Sequence, residues 1–208
     1  VECSEAEAHL TVAFVAGATV YAGREVVAAL RAGGIDTVAH VRADSFRLAD
    51  WRARFGAVGA RVDTTAWEPE AMAATLAAIR PDLVFALLGT TRSRARLARR
   101  QRGSEEGYEA VDYGLTVLLY RAAEHCGSRP RFVYLSSVGV REGGGNAYLA
   151  ARARVERELR AGGLPYTIAR PSFITGPDRD EFRLGERLVA RVVDGVLSMA
   201  GRFGSRRL

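Results

Sequence analysis

The sequence predicts an α/β fold, a doubly wound and mostly parallel sheet of six or seven strands with helices on both faces. Three observations favour it. Short apolar runs rich in β-branched residues alternate with longer amphipathic stretches from residue 11 onward, as in repeated strand–helix–strand units. Glycine or proline separates several of these runs. The 208 residues are 48% hydrophobic, which suits one buried core.

The strands follow from the apolar runs. They are predicted, in chain order, at residues 11–16, 36–41, 57–63, 82–88, 131–136 and 165–170. Ala, Leu, Arg and Glu at helical spacing fill most of the remainder. Helices are predicted at residues 23–32, 46–55, 69–79, 105–126 and 147–161. Gly-Gly pairs after the first and last of these are expected to end them, and Pro69 suits a first helical turn.

One domain is expected over residues 11–208, after a flexible segment at 1–10. Neither a signal peptide nor a membrane-spanning run is recognisable, so the sequence predicts a soluble, cytosolic protein that does not bind membranes. The two cysteines and three histidines are scattered, which gives no predicted metal site.

The net charge is +6, and all 30 basic residues are arginine. Their densest cluster, at 92–102, contains no aromatic residue. It is interpreted as a solvated surface, and nucleic-acid binding is not favoured.

A glycine loop follows the first predicted strand. It reads GATVYAG and comprises Gly17, Ala18, Thr19, Val20, Tyr21, Ala22 and Gly23. A loop between a strand and a helix can hold the pyrophosphate of a dinucleotide, because helix amides and the positive dipole end meet there. Val20 occupies the place where the usual G-x-x-G-x-x-G pattern has its middle glycine. Crowding or backbone strain at Val20 is therefore expected to weaken binding.

Residues after the second and third strands bear on which dinucleotide is bound. Arg42 follows the second strand, where a guanidinium can pair with the 2′-phosphate of NADP. Asp44 lies nearby and leaves NAD open, since a carboxylate can accept from a free ribose hydroxyl. Asp63 is a candidate contact for the adenine edge. NADP is the favoured cofactor, with an ordinary exposed arginine as the alternative for Arg42.

The motifs GATVYAG, HVR, FALLGTTR, FVYLSSVGV, AYLAAR and IARPSFITGPD, in this order, resemble the atypical short-chain dehydrogenase/reductase superfamily. LLGTTR, EAVDYGL and GPDRDEFRLGERL are similar to its branch typified by Tat-interacting protein 2. The resemblance implies an NAD(P)-binding Rossmann fold with the cofactor across the carboxyl ends of the strands. It also implies cofactor contacts from Leu88, Gly89, Thr90, Tyr148, Arg152, Pro171, Ser172, Phe173 and Ile174.

The resemblance further implies a Ser/Tyr/Lys catalytic group. Ser137 and Tyr148 match the first two positions, and Arg152 stands at the third. Arg152 follows Tyr148 by one helical turn, so both residues can face the same site. Arginine keeps the positive charge of lysine but cannot relay a proton. An alternative use of Arg152 is a surface ion pair with Glu156, four residues on.

These features predict an NADP-preferring oxidoreductase acting on the carbonyl or alcohol group of an unidentified small molecule. The alternative is a non-catalytic NADP-binding sensor or partner-binding module, which Val20 and Arg152 favour. Two roles are left for helix 105–126: it forms a homodimer interface, or its apolar face packs entirely against the sheet. Relatives continue further at the carboxyl end, so the substrate-side segment 172–208 is expected to be short or truncated.

Overall fold

The computed structural model describes residues 10–89, 107–143 and 146–172. Within these ranges six strands form one sheet. They are β1 (Val12–Ala16), β2 (Asp36–His40), β3 (Arg61–Asp63), β4 (Leu83–Ala86), β5 (Arg131–Leu135) and β6 (Tyr166–Ala169). The order is β3-β2-β1-β4-β5-β6, and every neighbouring pair is parallel. This confirms the predicted doubly wound Rossmann sheet.

Five α-helices connect or flank the strands in the described ranges. They are α1 (Tyr21–Ala32), α2 (Leu48–Ala57), α3 (Pro69–Ile79), α4 (Thr116–His125) and α5 (Ala147–Ala161). A π-helical segment, Glu109–Leu115, leads directly into α4. None of these helices combines the length and the apolar character that a membrane span needs.

Two apolar layers cover the sheet because successive strand residues point to opposite faces. Val15 and Phe85 belong to the layer that contains Leu30 of α1 and Phe55 of α2. The opposite layer takes Phe14 and Phe132 and packs them with side chains from α3, α4 and α5, among them Leu76, Leu119 and Leu159. Helices therefore lie on both faces of the sheet.

The strand order reverses between β1 and β4. The helix that follows β1 packs on one face of the sheet, and α4, which follows β4, packs on the other. Ala16 and Ala86 lie side by side at the carboxyl ends of these strands. The Leu87 amide donates to the Ala16 carbonyl at 3.0 Å, so the two loops that follow begin together. Ligands of open α/β sheets bind in the crevice at such a point.

Several boundaries differ from the sequence predictions. The strand predicted at 57–63 begins only at Arg61, because α2 continues to Ala57 and Gly59 then makes a turn at φ +76°. α1 begins at Tyr21, two residues before the predicted start. The helix predicted at 46–55 lies at Leu48–Ala57, and the one predicted at 105–126 is π-helical in its first described part. Segments 1–9 and 173–208 lie outside the described residues.

Candidate functional site

The glycine loop is a tight turn that requires both of its terminal glycines. Gly17 has φ +80°, and a Cβ there would lie 2.7 Å from the Leu87 carbonyl carbon and oxygen. A Cβ on Gly23 would lie 2.1 Å from the Gly17 carbonyl oxygen. These distances are far below van der Waals contact. The glycines therefore bring the loop against the end of β4 and the first turn of α1 against the loop.

Val20 is not strained. It is the N-cap of α1, with φ −75° and ψ 163°, an extended conformation that β-branched residues adopt readily. The expectation of strain is therefore wrong, because the helix begins early enough to place Val20 before it. α1 has no side-chain cap and no acidic residue in its first turn, so no carboxylate of that turn offsets the positive end of the helix dipole.

Arg42 is exposed just beyond β2. Its Nε lies 3.4 Å from Asp44 Oδ1, and both side chains are mostly in solvent. Exposed ion pairs of this kind are weak, so Arg42 can exchange Asp44 for another anion. Its contact with a 2′-phosphate stays a prediction.

Asp63, at the end of β3, is hydrogen-bonded to the loop that follows this strand. Its carboxylate accepts hydrogen bonds from the Thr65 amide at 3.1 Å and the Thr65 hydroxyl at 2.8 Å. Buried His40 donates from Nε2 to the Thr65 carbonyl at 2.8 Å and meets the Trp67 ring edge-on. Burial lowers the pKa of His40 against the opposing effects of Thr65 and Asp63. His40 thus belongs to the packing beneath this loop, and the predicted adenine contact of Asp63 stays untested.

Tyr148 and Arg152 meet as the helical spacing predicts. The guanidinium carbon of Arg152 lies 4.6 Å from the centroid of the Tyr148 ring, within the range of a cation–π contact. Tyr108, a residue in none of the recognised motifs, meets the same ring edge-on at 5.4 Å between centroids. The Tyr148 ring is therefore held by two side chains from different parts of the chain.

Arg152 is buried and does not pair with Glu156. Its Nη2 donates to Asp112 Oδ1 at 3.0 Å. Its Nη1 donates to the Leu135 carbonyl and, at 3.4 Å, to the Tyr134 hydroxyl. Among the described residues Nε has no hydrogen-bond partner. The predicted surface pair is wrong because Arg152 faces the sheet.

Glu156, one turn beyond Arg152, is buried and binds other groups. It accepts from the Ser136 hydroxyl at 2.7 Å, from Arg160 Nη2 at 2.7 Å and from Arg170 Nε at 2.8 Å. Burial alone would raise the pKa of Glu156, but the hydrogen bonds from Arg170, Ser136 and Arg160 outweigh it and leave the pKa lowered. Glu156 thereby joins α5 to the ends of β5 and β6.

The remaining predicted residues that the structure describes lie at the carboxyl ends of β4, β5 and β6. Gly89 borders Arg152, since a Cβ on Gly89 would lie 3.2 Å from Arg152 Nη2. The Val138 amide, next to Ser137, donates to the Pro171 carbonyl at 3.1 Å, so the segments containing Ser137 and Pro171 run side by side. Leu88 follows the end of β4, and Ser172 follows the end of β6. Thr90, Phe173 and Ile174 lie outside the described residues.

Asp112 is the functional candidate that sequence reasoning missed. It lies in the EAVDYGL motif, which the sequence analysis used only as a mark of resemblance. Its side chain is fully buried against Arg152. The available signal was an acid between Val111 and Tyr113 in a segment that leads into a largely apolar helix, because buried acids are rare unless paired.

The residues present fit a nicotinamide dinucleotide. The close packing of the Gly17–Gly23 turn against the end of β4 and against α1 sets the amino-terminal end of α1 at the strand ends, where its free amides suit a pyrophosphate. At the neighbouring strand ends, Arg152 Nε is a buried donor without a partner among the described residues. Such a donor is costly unless something accepts from it, so a ligand with hydroxyl groups matches it.

Comparisons with known proteins agree with this geometry. The family model described as NAD(P)H-binding matches residues 17–196. Protein fmp52, mitochondrial, of Aspergillus niger is 31% identical over 60% of this chain and 48% of its own length. Protein FMP52, mitochondrial, of Debaryomyces hansenii is 30% identical over 79% of this chain and 67% of its own. The chain thus spans about half the length of the Aspergillus relative.

A solved structure supports the same family. A protein assigned as an epimerase in Burkholderia cenocepacia superposes with a TM-score of 0.63 and 27% identity, covering 84% of this chain and 58% of that chain. These findings confirm the resemblance to atypical short-chain dehydrogenase/reductases. They also correct one prediction: the fungal relatives are named as mitochondrial, which contradicts a cytosolic location. The match to the family model over residues 17–196 means that the chain belongs to the NAD(P)H-binding family of Rossmann proteins.

Proposed function

We propose that the protein is an NADP-preferring oxidoreductase that acts on a carbonyl or alcohol group of a small molecule. The observation that carries this proposal is the buried guanidinium of Arg152 against the Tyr148 ring and beside Gly89. A tyrosine and a cation placed at strand ends next to a dinucleotide loop suit proton transfer coupled to redox chemistry. The name of the Burkholderia cenocepacia relative, an epimerase, supports an enzyme of the NAD(P)-dependent kind.

Each catalytic residue has one task in this proposal. When bound, the nicotinamide supplies or accepts a hydride. The Tyr148 hydroxyl donates a proton to the substrate oxygen during carbonyl reduction and takes one back in alcohol oxidation. The Ser137 hydroxyl donates a hydrogen bond to the same oxygen. Arg152 holds the Tyr148 ring and keeps its positive charge, because a guanidinium does not release its proton in proteins.

A second candidate function is a non-catalytic NADP-binding sensor. Arg152 favours it, since Nη1 and Nη2 already bind protein acceptors and leave fewer donors than the free ammonium of a lysine would offer. In that case the nucleotide binds without turnover, and its occupancy orders neighbouring loops. The two candidates agree on the cofactor and differ on the chemistry.

Tyr148→Phe separates the two candidate functions. In the oxidoreductase, the variant lowers kcat with NADPH and a panel of ketones and aldehydes by about 100-fold, because the proton donor is lost while ring packing is kept. NADPH affinity, followed by nucleotide fluorescence, stays within about threefold of the parent. A parent that binds NADPH but reduces no carbonyl supports the sensor, and equal turnover in both proteins removes Tyr148 as the proton donor.

Arg42→Glu tests the NADP preference. We expect NADPH affinity to fall by about tenfold or more, because a carboxylate replaces the cation that pairs with the 2′-phosphate. NADH affinity stays nearly unchanged. Arg52→Glu is the control, since it makes the same charge reversal on the exposed face of α2. An Arg42→Glu variant that keeps the full NADPH preference refutes the assignment of Arg42.

A further inference from the structure

Asp112 and Arg152 form a buried ion pair next to Gly89. Their side chains are 0% and 6% exposed, and Asp112 Oδ1 lies 3.0 Å from Arg152 Nη2. Asp112 belongs to the π-helical segment Glu109–Leu115, and π-helical turns occur frequently at functional sites. The two partners are 40 residues apart in the chain, so only the packing of this segment against α5 brings them together.

Asp112 is the acid that compensates the charge of Arg152. Glu156, the other buried carboxylate in the part of the chain that the structure describes, binds Ser136, Arg160 and Arg170. Glu109, on the same segment as Asp112, pairs with exposed Arg154 on the outer side. Among the described residues Asp112 is the acid that pairs with Arg152, so its loss would leave the buried guanidinium beside Gly89 without an ion-pair partner in that part of the chain.

The charge of this pair matters because the nicotinamide ring changes its own charge during the reaction. The oxidised ring is a cation and the reduced ring is neutral. An uncompensated Arg152 would repel the oxidised form and leave the reduced form almost unaffected. An Asp112–Arg152 pair has no net charge, so it does not discriminate between the oxidised and the reduced ring. Burial makes the effect of losing Asp112 large, because unit charges interact strongly away from water.

We propose that Asp112 is a positioning residue that neutralises Arg152, holds it beside Gly89 and so sets the relative affinity of the site for oxidised and reduced dinucleotide. This inference rests on the proposed function, since it requires the nicotinamide to lie near Gly89. It assigns Asp112 a role that acts through Arg152. The role predicts a change in an affinity ratio, whereas a merely structural role predicts equal weakening of both forms.

The test measures dissociation constants of NADP⁺ and NADPH for the full chain and three variants. In Asp112→Asn we expect NADP⁺ to weaken about tenfold more than NADPH, the size expected for one unit charge screened as in a protein interior. Asp112→Ser gives a smaller shift in the same direction, because it admits water to the unpaired guanidinium, and this water protects folding if the asparagine variant unfolds. Asp112→Asn combined with Arg152→Met removes both charges and returns the ratio to within about threefold of the parent.

Two results overturn the inference. One is an unchanged NADP⁺/NADPH ratio in a folded Asp112 variant. The other is a shifted ratio that persists after Arg152 is also replaced, because Asp112 would then act independently of Arg152. A parent protein that binds neither nucleotide refutes the proposed function itself, and that failure is distinguishable because it appears before any variant is compared.

Discussion

Gly23→Ala is expected to lower the affinity for NADPH and NADH more than tenfold. The added Cβ would lie 2.1 Å from the Gly17 carbonyl oxygen and 2.8 Å from the Ala18 Cα. Both are backbone atoms, so relief requires the loop to move away from α1. That movement separates the helix amides from the turn that would cradle the pyrophosphate. Fluorescence titration with both nucleotides measures the loss, and thermal unfolding shows that the variant is folded.

Gly56→Ala is the matched control for this prediction. Gly56 lies within α2, and a Cβ there would meet nothing within 4 Å. Its replacement by alanine is expected to leave nucleotide affinity unchanged and to stabilise the helix slightly. Equal nucleotide affinities in Gly23→Ala and the parent would contradict the placement of the cofactor over this loop.

Glu156→Gln is expected to lower the free energy of unfolding at pH 7 by about 2–3 kcal/mol, the size of lost hydrogen bonds to a charged group. Glu156 accepts from Ser136, Arg160 and Arg170 while its own side chain is buried. A glutamine side chain can accept only through its carbonyl oxygen, because its NH₂ group is a donor. Because both arginines are partly exposed, solvent takes up part of the loss and keeps the effect below that of a fully buried pair.

The same variant has a defined pH dependence. The pKa of Glu156 in the folded protein is lowered from its ordinary value of 4.5. A lowered pKa means that the stabilisation is complete above the unfolded value and is lost as the pH falls through the folded value. The difference in unfolding free energy between parent and Glu156→Gln is therefore expected to shrink below about pH 4.5. Urea unfolding at a series of pH values measures it.

Glu158→Gln is the control for Glu156→Gln. Glu158 lies on the same helix, but its side chain is 25% exposed and its partner Arg121 is 50% exposed. Such a pair contributes about 1 kcal/mol or less. Equal losses at the two positions, or a pH-independent difference for Glu156→Gln between pH 7 and 3, would refute the role given to the Glu156 cluster.

The strands and helices were largely predictable because their causes are local. Apolar runs of β-branched residues identified the six strands of the described ranges. The strand-to-helix turn requires glycine at position 17 for its positive φ and at position 23 for its contact with the Gly17 carbonyl. Boundaries were less predictable. Apolar alternation at 57–63 suggested a long strand, but α2 extends to Ala57 and Gly59 makes the turn, an outcome set by how α2 packs on the sheet.

The sequence by itself determined the Rossmann order of elements, the glycine loop and the one-turn spacing that brings Arg152 to the Tyr148 ring. Only the tertiary structure decided the partners of the buried charged groups: Arg152 pairs with Asp112, 40 residues earlier, and Glu156 pairs with Arg170, which lies beyond β6. The physical reason is how far apart in the chain the interacting residues lie. Helical spacing fixes neighbours three or four residues apart, whereas partners on different elements depend on the packing of those elements against the sheet.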